Sequence, residues 1–184
     1  MKKWALVFLV GSLVLACGLF GEIPEEKIAV VPDEPAGFSV DIRVDRGNGS
    51  SYSPGEFVSI FFSVTQDAYV VVYDVSPDGK VTILFPNQYD PDNFVLANQE
   101  IRIPRVGYKL MIENALGKEY LQIVACDNQF VAYEDWSQQF THQVYPPVSG
   151  DAMSYFAEFK EKIAVIPDGP QPKWASKIIF FYVQ

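Results

Sequence analysis

Histidine is almost absent from this chain and cysteine nearly so: His142 is the one imidazole among 184 residues, and Cys17 and Cys126 are the two thiols. So little nitrogen and sulfur leaves a zinc site short of its usual ligands. Any Ser-His-Asp arrangement would have to use His142, which lies in a Gln-rich stretch, and the chain has no Gly-x-Ser-x-Gly elbow. The phosphate loop, the dinucleotide fingerprint and the HExxH zinc motif are missing too. Positive charge is also scarce. Lys and Arg number 14 against 23 Asp and Glu, a net charge of −9, which argues against nucleic acid and anionic lipid as general partners. No apolar run reaches the roughly 20 residues of a membrane-spanning helix. Apolar side chains, by contrast, are plentiful. Hydrophobic content of 49%, with 15% aromatic against 20% charged, is enough for a substantial core and excludes a disordered chain.

The chain opens on MKKWALVFLVGSLVLAC, which has the parts of an export signal: Lys2 and Lys3 as the positive region, then Trp4 to Leu15 as a short apolar run. Val14-Leu15-Ala16-Cys17 resembles the bacterial lipobox, in which a branched apolar residue and a small residue precede a cysteine that is acylated before cleavage. Leu15 departs from the small residue usual at its position. An ordinary secretory signal is the alternative reading, since Val14 and Ala16 also suit the general peptidase. The lipobox resemblance implies removal of residues 1–16, lipid on Cys17 and attachment to a membrane of the cell envelope. Gly18, where Asp would favour inner-membrane retention, points to the outer membrane if the cell has one. With Cys17 acylated no intramolecular disulfide remains, and Cys126, ending the run Tyr120–Cys126, reads as a small buried hydrophobe.

Residues 17–36 are rich in Gly, Pro, Asp and Glu and predict an extended, solvated tether, so that a single domain occupies 37–184. Within the tether EKIAVVPDEP at 26–35 recurs as EKIAVIPDGP at 161–170. Similar docking of two apolar segments at the two ends of the fold and coincidence in a simple pattern are both open. From Phe38 the period becomes two: Phe38, Val40, Ile42 and Val44 alternate with polar residues, as do Val58, Ile60, Phe62 and Val64. Ala68 to Val75 is apolar on both faces and predicts a central strand, closed onto Val81–Phe85 by the Ser76-Pro-Asp-Gly79 turn. Strands follow at 100–103, 108–113 and 119–125, with a last one at 178–183. The rhythm predicts an antiparallel β-sandwich, immunoglobulin-like or related, around one core that includes Val58, Ile60, Phe62, Val71 and Tyr73. One or two short helices belong toward the C-terminus. Asp151 to Ile163 is the best of them, with Asp151 as cap and Met153, Phe156, Phe159 and Ile163 as its apolar stripe.

From Tyr52 onward YSPGEFVSIFF, AYVVVYDVSPDGKVTILFPN, DNFVLANQEIRIP, LGKEYLQIVA and PKWASKIIFFYV succeed one another. In that order they closely resemble the domain of unknown function 4384, found in many bacterial lipoproteins. The resemblance extends over roughly residues 36–184. It implies a β-sandwich with an accessory or binding role and names no activity. Gly55, Glu56, Asp78, Gly79, Pro86 and Asn87 have structural roles as turns and strand stops. Asn87, Asp90, Asp92 and Asn93 carry oxygens suited to a hard cation but lack EF-hand spacing.

Chemistry is otherwise thinly marked. Glu56, Glu100, Glu113, Glu119, Glu134 and Asp135 are available acids, yet spacing gives no reason to pair any two for glycoside hydrolysis. Tyr133, Trp136 and Tyr145 sit among polar neighbours, and they are candidates for contact with a partner, with core packing as the alternative. The sequence thus points to an envelope-anchored, non-catalytic lipoprotein that binds or positions another envelope component, protein or glycan. A carbohydrate-binding module ranks second and a hydrolase third. No catalytic residue, metal ligand or cofactor is indicated, and nucleic acid is not expected as a partner.

Overall fold

A computed structural model of the chain describes residues 22–105, 107–130, 132–140, 143–148, 150–164 and 171–184. In chain order the elements are α1 (Glu25–Ile28), β1 (Val40–Val44), β2 (Ser51–Tyr52), β3 (Phe57–Val58), β4 (Ile60–Val64), β5 (Ala68–Val75) and β6 (Val81–Phe85). There follow β7 (Phe94–Val95), β8 (Ile101–Ile103), β9 (Leu110–Met111), β10 (Gly117–Cys126), α2 (Tyr133–Gln139), α3 (Ala152–Ala164) and β11 (Trp174–Val183). The fold is mainly β and sandwich-like. A large sheet runs β2-β11-β10-β5-β6, with β7 on the far end of β5; a small sheet runs β1-β4-β8, and β3 pairs β9 as a separate ribbon. The strand predicted at 108–113 contracts to β9. Pairing is antiparallel except where β2 joins β11 in parallel.

The large sheet is buried on both faces, so the expected single core is two. Alternation along β5 sends Val70 and Val72 toward the small sheet, where they meet Ile60, Phe62, Leu121 and Ile123. Val71, Tyr73 and Val75 point the other way, into a second layer with Tyr120, Val124 and the helices. The five residues expected in one core are all buried but divide between these layers. Strands covered on both sides read as continuous apolar runs, which is why 68–75 has no polar face. The β5–β6 hairpin forms as predicted, with Gly79 at a φ of 86° that suits glycine.

Helix α3 supplies much of the second layer. Asp151 caps it, its carboxylate accepting from the Ser154 N–H at 3.0 Å. The buried stripe is Ala152, Phe156, Phe159 and Ile163, while Met153 is 48% exposed. Steps of four, three and four residues keep the former on one side, and Met153 lies about 100° round from Ala152. Tyr73 is the hub of this layer. Trp136, Phe156 and Phe159 meet its ring edge to face at 6.2, 5.3 and 5.4 Å, and its hydroxyl is 3.0 Å from that of Tyr155.

Residues 22–36 are not the free tether that their acidity predicted. Ile28 and Val30 are 0% and 1% exposed, packed in the helix layer. Gln122, turned into that layer from β10, accepts the Val30 N–H at 2.7 Å and donates to the Ile28 carbonyl at 3.3 Å. Ser176 donates to the Val30 carbonyl, and the Tyr120 hydroxyl to the Ile23 carbonyl at 2.9 Å. A buried amide side chain needs partners, and this segment's backbone provides them. The recurring decapeptide acquires a physical basis here: Ile28 ends α1, Ile163 lies in the last turn of α3, and both are buried in one layer. The rest of the second copy, 165–170, lies outside the described residues.

Phe62, 2% exposed against Phe85, should cost about 3–5 kcal/mol when truncated to Ala. Ile28→Ala should cost about 2–5 kcal/mol, against almost nothing if residues 22–36 were a solvated linker. Denaturant unfolding of the two variants measures both.

Candidate functional site

The three aromatic candidates do not converge. Trp136 is 4% exposed and packs on Phe130 and Phe159 in the helix layer, so its ring is core and offers no free face. Its place on α2, one turn from buried Phe140, turns it onto the sheet. Tyr133 is partly exposed, and its hydroxyl donates to the Pro91 carbonyl at 2.6 Å. Tyr145 belongs to the other side of the large sheet, partly buried against the sandwich core. It gets there because residues 145–148 run along the free edge of β6: the Ile83 N–H donates to the Pro146 carbonyl and the Val148 N–H to the Val81 carbonyl, both at 3.0 Å. The later part of the 129–145 segment and its continuation therefore cover a sheet edge, and they deliver a tyrosine inward.

Tyr145 lines a cleft of about 420 Å³ between the sheets, with Val58, Ile60, Leu84, Leu121 and Phe181 among its apolar walls. Asp74, Glu113, Glu119 and Lys80 also line it, and two of the carboxyls are set side by side. Asp74 continues the inward row Ala68, Val70, Val72 on β5, and Glu119 the row Leu121, Ile123, Ala125 on β10. Register does the rest: Leu121 is the partner of Asp74, which makes Glu119 its diagonal neighbour, within reach of a long side chain. The two carboxyls lie within hydrogen-bonding range of each other. Among the described residues no N–H or hydroxyl donor reaches Oδ1 of Asp74, and the Tyr145 hydroxyl, likewise shut off from solvent, has no partner.

Electrostatics follow from this placement. Burial, with the nearby Glu119 carboxylate adding to it, holds the Asp74 pKa well above the ordinary range. Burial raises Glu119 to about 7; the hydrogen bond from Asp74 pulls it down, and the charges of Glu113 and Asp78 push it up. Two carboxyls in contact cannot both ionise cheaply, so the pair shares a proton near neutral pH. Lys80 stands near the mouth, its Nζ 3.9 Å from Glu113. Burial also raises the Tyr145 phenol, which stays neutral.

The other acids are engaged elsewhere. Glu56 makes a two-pronged contact with Arg46 at 2.7 and 3.1 Å, and Glu100 meets Arg43 at 3.0 Å. Asp135 is exposed, and the Glu134 side chain lies outside the description. The oxygen-bearing loop is held together by its own bonds. Asn87 donates to the Leu84 carbonyl at 2.7 Å and accepts from the N–H groups of Tyr89 and Asp90; Asn93 and Gln129 exchange two amide bonds; Asp90 binds Arg105 at 3.0 Å. Cys126 is buried, as a small hydrophobe would be, and burial pushes its thiol up to about 11. Cys17, the residue expected to carry lipid, and His142 lie outside the described residues.

Sequence reasoning passed over Asp74 because the strand around it is so apolar. The signal was available as a carboxylate falling in step with Val70 and Val72, two strands' worth of which make a pair only once register is known. Residues 51–129 match the model of a protein family described as a domain of unknown function (DUF4384). The match spans β2 to β10, so it includes Asp74 and Glu119, begins after α1 and β1 and ends before α2, Tyr145, α3 and β11. No curated protein and no solved structure matches the chain.

Because Glu119 is raised from 4.5 to about 7, the folded chain takes up a proton that the unfolded chain does not hold between these values. Its contribution is thus fully present below about pH 4.5 and lost as pH rises through about 7. Denaturant unfolding across that window should show the wild type losing roughly 1–3 kcal/mol relative to Glu119→Gln as pH increases. Parallel profiles would mean that the pair carries no shared proton.

Proposed function

We propose that this chain is a non-catalytic binding domain, fixed to a membrane of the cell envelope through lipid on Cys17, that holds another envelope component in the cleft between its sheets. The observation that carries the reading is the cleft itself: about 420 Å³, with apolar walls interrupted by Asp74, Lys80, Glu113 and Glu119, and with the Tyr145 hydroxyl buried there without a partner among the described residues. Binding sites are commonly concavities of this size with mostly apolar walls and a small number of polar groups. Exposed apolar side chains flank it on one side: Phe57 and Met111, paired across β3 and β9, are 52% and 57% exposed, and Leu116 is 66% exposed.

Two rival readings lose support. A glycan platform was expected on Tyr133, Trp136 and Tyr145, but Trp136 is core and Tyr145 packs on the other side of the large sheet from Tyr133. A glycosidase needs its carboxyls at least about 5 Å apart, whereas Asp74 and Glu119 lie within hydrogen-bonding range of each other. The lipid anchor rests on the Val14–Cys17 sequence, and the outer membrane on Gly18.

Ala115 lines the cleft from the loop before β10, so Ala115→Trp should close the site at little cost to the core. Affinity capture from solubilised envelope, with recovered molecules identified by mass, should yield a component held by the wild type and lost by a folded Ala115→Trp. Equal recovery sinks the cleft as the binding site. Separately, palmitate should label the wild type and not Cys17→Ala, and the labelled protein should fractionate with the outer membrane where there is one. A wild type that is unlabelled and fully soluble removes the anchor.

A further inference from the structure

We infer that the domain lies on the membrane with one end of the fold facing it: the loops 53–57, 76–80 and 111–118 rest on the lipid headgroups, with Leu116, Met111, Phe57 and Tyr182 in contact with them. This rests on reading Cys17 as lipidated and adds the face that the domain turns to the bilayer. The reach of the anchor is the first argument. Glu22 is fixed to the domain, its carboxylate 3.1 Å from Lys118 at the start of β10. Ile23 follows, its carbonyl accepting from Tyr120 and its Cδ1 3.5 Å from where a Cβ on Gly79 would stand at the hairpin tip. Cys17 precedes Glu22 by five residues, a stretch that reaches about 18 Å at most. Strand β10 runs ten residues from Gly117 to Cys126, about 30 Å. Lipid on Cys17 therefore cannot reach a membrane lying under the Cys126 end, whereas the Gly117 end is within range.

The same end is where apolar surface is left open. Pairing gathers its loops: Gly117 is opposite Val183, Gly55 donates its N–H to the Ile112 carbonyl at 3.0 Å, and Pro77 packs against Gly117. Leu116 is 66% exposed, more than any other large apolar side chain among the described residues, and Met111 and Phe57 stand exposed across β3 and β9. Tyr182, the register partner of Lys118, is 40% exposed and has the amphipathic ring found at membrane–water boundaries. Charges here largely cancel in pairs, Lys80 with Glu113, Lys118 with Glu22 and Arg46 with Glu56, while Lys109 and Asp78 add one of each sign. Nothing draws this end to anionic lipid in particular, so the contact is apolar and zwitterionic lipid suffices. A patch this small would not hold a free protein, but a short tether makes the contact intramolecular, at an effective concentration of roughly millimolar.

The test uses the full chain, taken from membranes in detergent and reconstituted into phosphatidylcholine vesicles. A nitrobenzoxadiazole label goes on Asn114→Cys, an exposed position beside Leu116, or on Leu96→Cys as the distal control. Leu96 follows the Val95 that pairs with Ala68, at the other end of β5 from the hairpin. Cys126 is buried and should stay unlabelled. A nitroxide on the lipid headgroup should quench the label at 114 at least about threefold more than the label at 96, since interfacial apolar groups sit about 5–10 Å into the headgroup boundary. The difference should persist from about 0.1 to 1 M salt, over which attraction between charges is screened. Leu116→Asp in the Asn114→Cys chain, with Met111→Asp as a second variant, should keep its melting temperature and lose the excess quenching. A wild type that does not float with the vesicles removes the anchor and the docked face with it. Flotation with equal quenching at the two positions overturns the docked face and leaves the anchor standing, as does excess quenching that survives both Asp variants or vanishes in salt. Emission shifted to the blue at 114 without nitroxide quenching, and lost as the chain is diluted in lipid, assigns the patch to a second copy and overturns the membrane contact.

Discussion

Burial of the β5–β10 pair on both faces is the constraint from which the rest of the structure follows. A strand with one wet face can place polar residues at every second position. One covered on both sides cannot, so each polar residue in it has to be matched by something brought from elsewhere in the chain. Gln122 is matched by the backbone around Ile28 and Val30, and the Tyr73 hydroxyl by that of Tyr155. Asp74 and Glu119 are matched chiefly by each other, which favours a protonated carboxyl between them.

The same constraint explains why segments far apart in sequence are needed. The small sheet covers one face of the large sheet through Ile42, Ile60 and Phe62; α3, α2 and residues 22–30 cover the other. Without the helix layer Val71, Tyr73, Val75 and Val124 would face water, an apolar surface wider than soluble domains usually expose. An N-terminal segment read as linker is therefore structural, and its acidic residues sit on its outer side. Asp33, 87% exposed along its side chain, reaches Lys160 of α3 at 3.0 Å, a surface pair that orients more than it stabilises.

The candidate site lies where covering fails. The sheets part around the ends of β5 and β10, and the edge segment carrying Tyr145 closes the side at β6 without filling the space. Paired acids at such a place make the domain's stability depend on pH, because burial favours the protonated pair. The aromatic side chains that sequence suggested as the contact surface serve other ends: Trp136 packs the helix layer, Tyr133 ties α2 to the Pro91 loop, and Tyr145 alone enters the cleft.

Local pattern was enough for the β class, the β5–β6 hairpin, the cap at Asp151 and the central position of 68–75, because period-two alternation and turn chemistry act between residues close in sequence. It also marked a run apolar on both faces, though not what lies on either side of it. Which aromatics are buried, whether 22–36 is linker or layer, and which of the many acids form a pair depend on contacts between residues tens of positions apart. The register that sets Leu121 opposite Asp74 is such a contact. A shift of one residue would turn Glu119 to the other face and dissolve the pair without altering the alternation that makes both strands legible. Sequence by itself determined the strands and their apolar faces; only tertiary structure, through register and the layers stacked on each face, decided that two carboxyls meet inside a cleft.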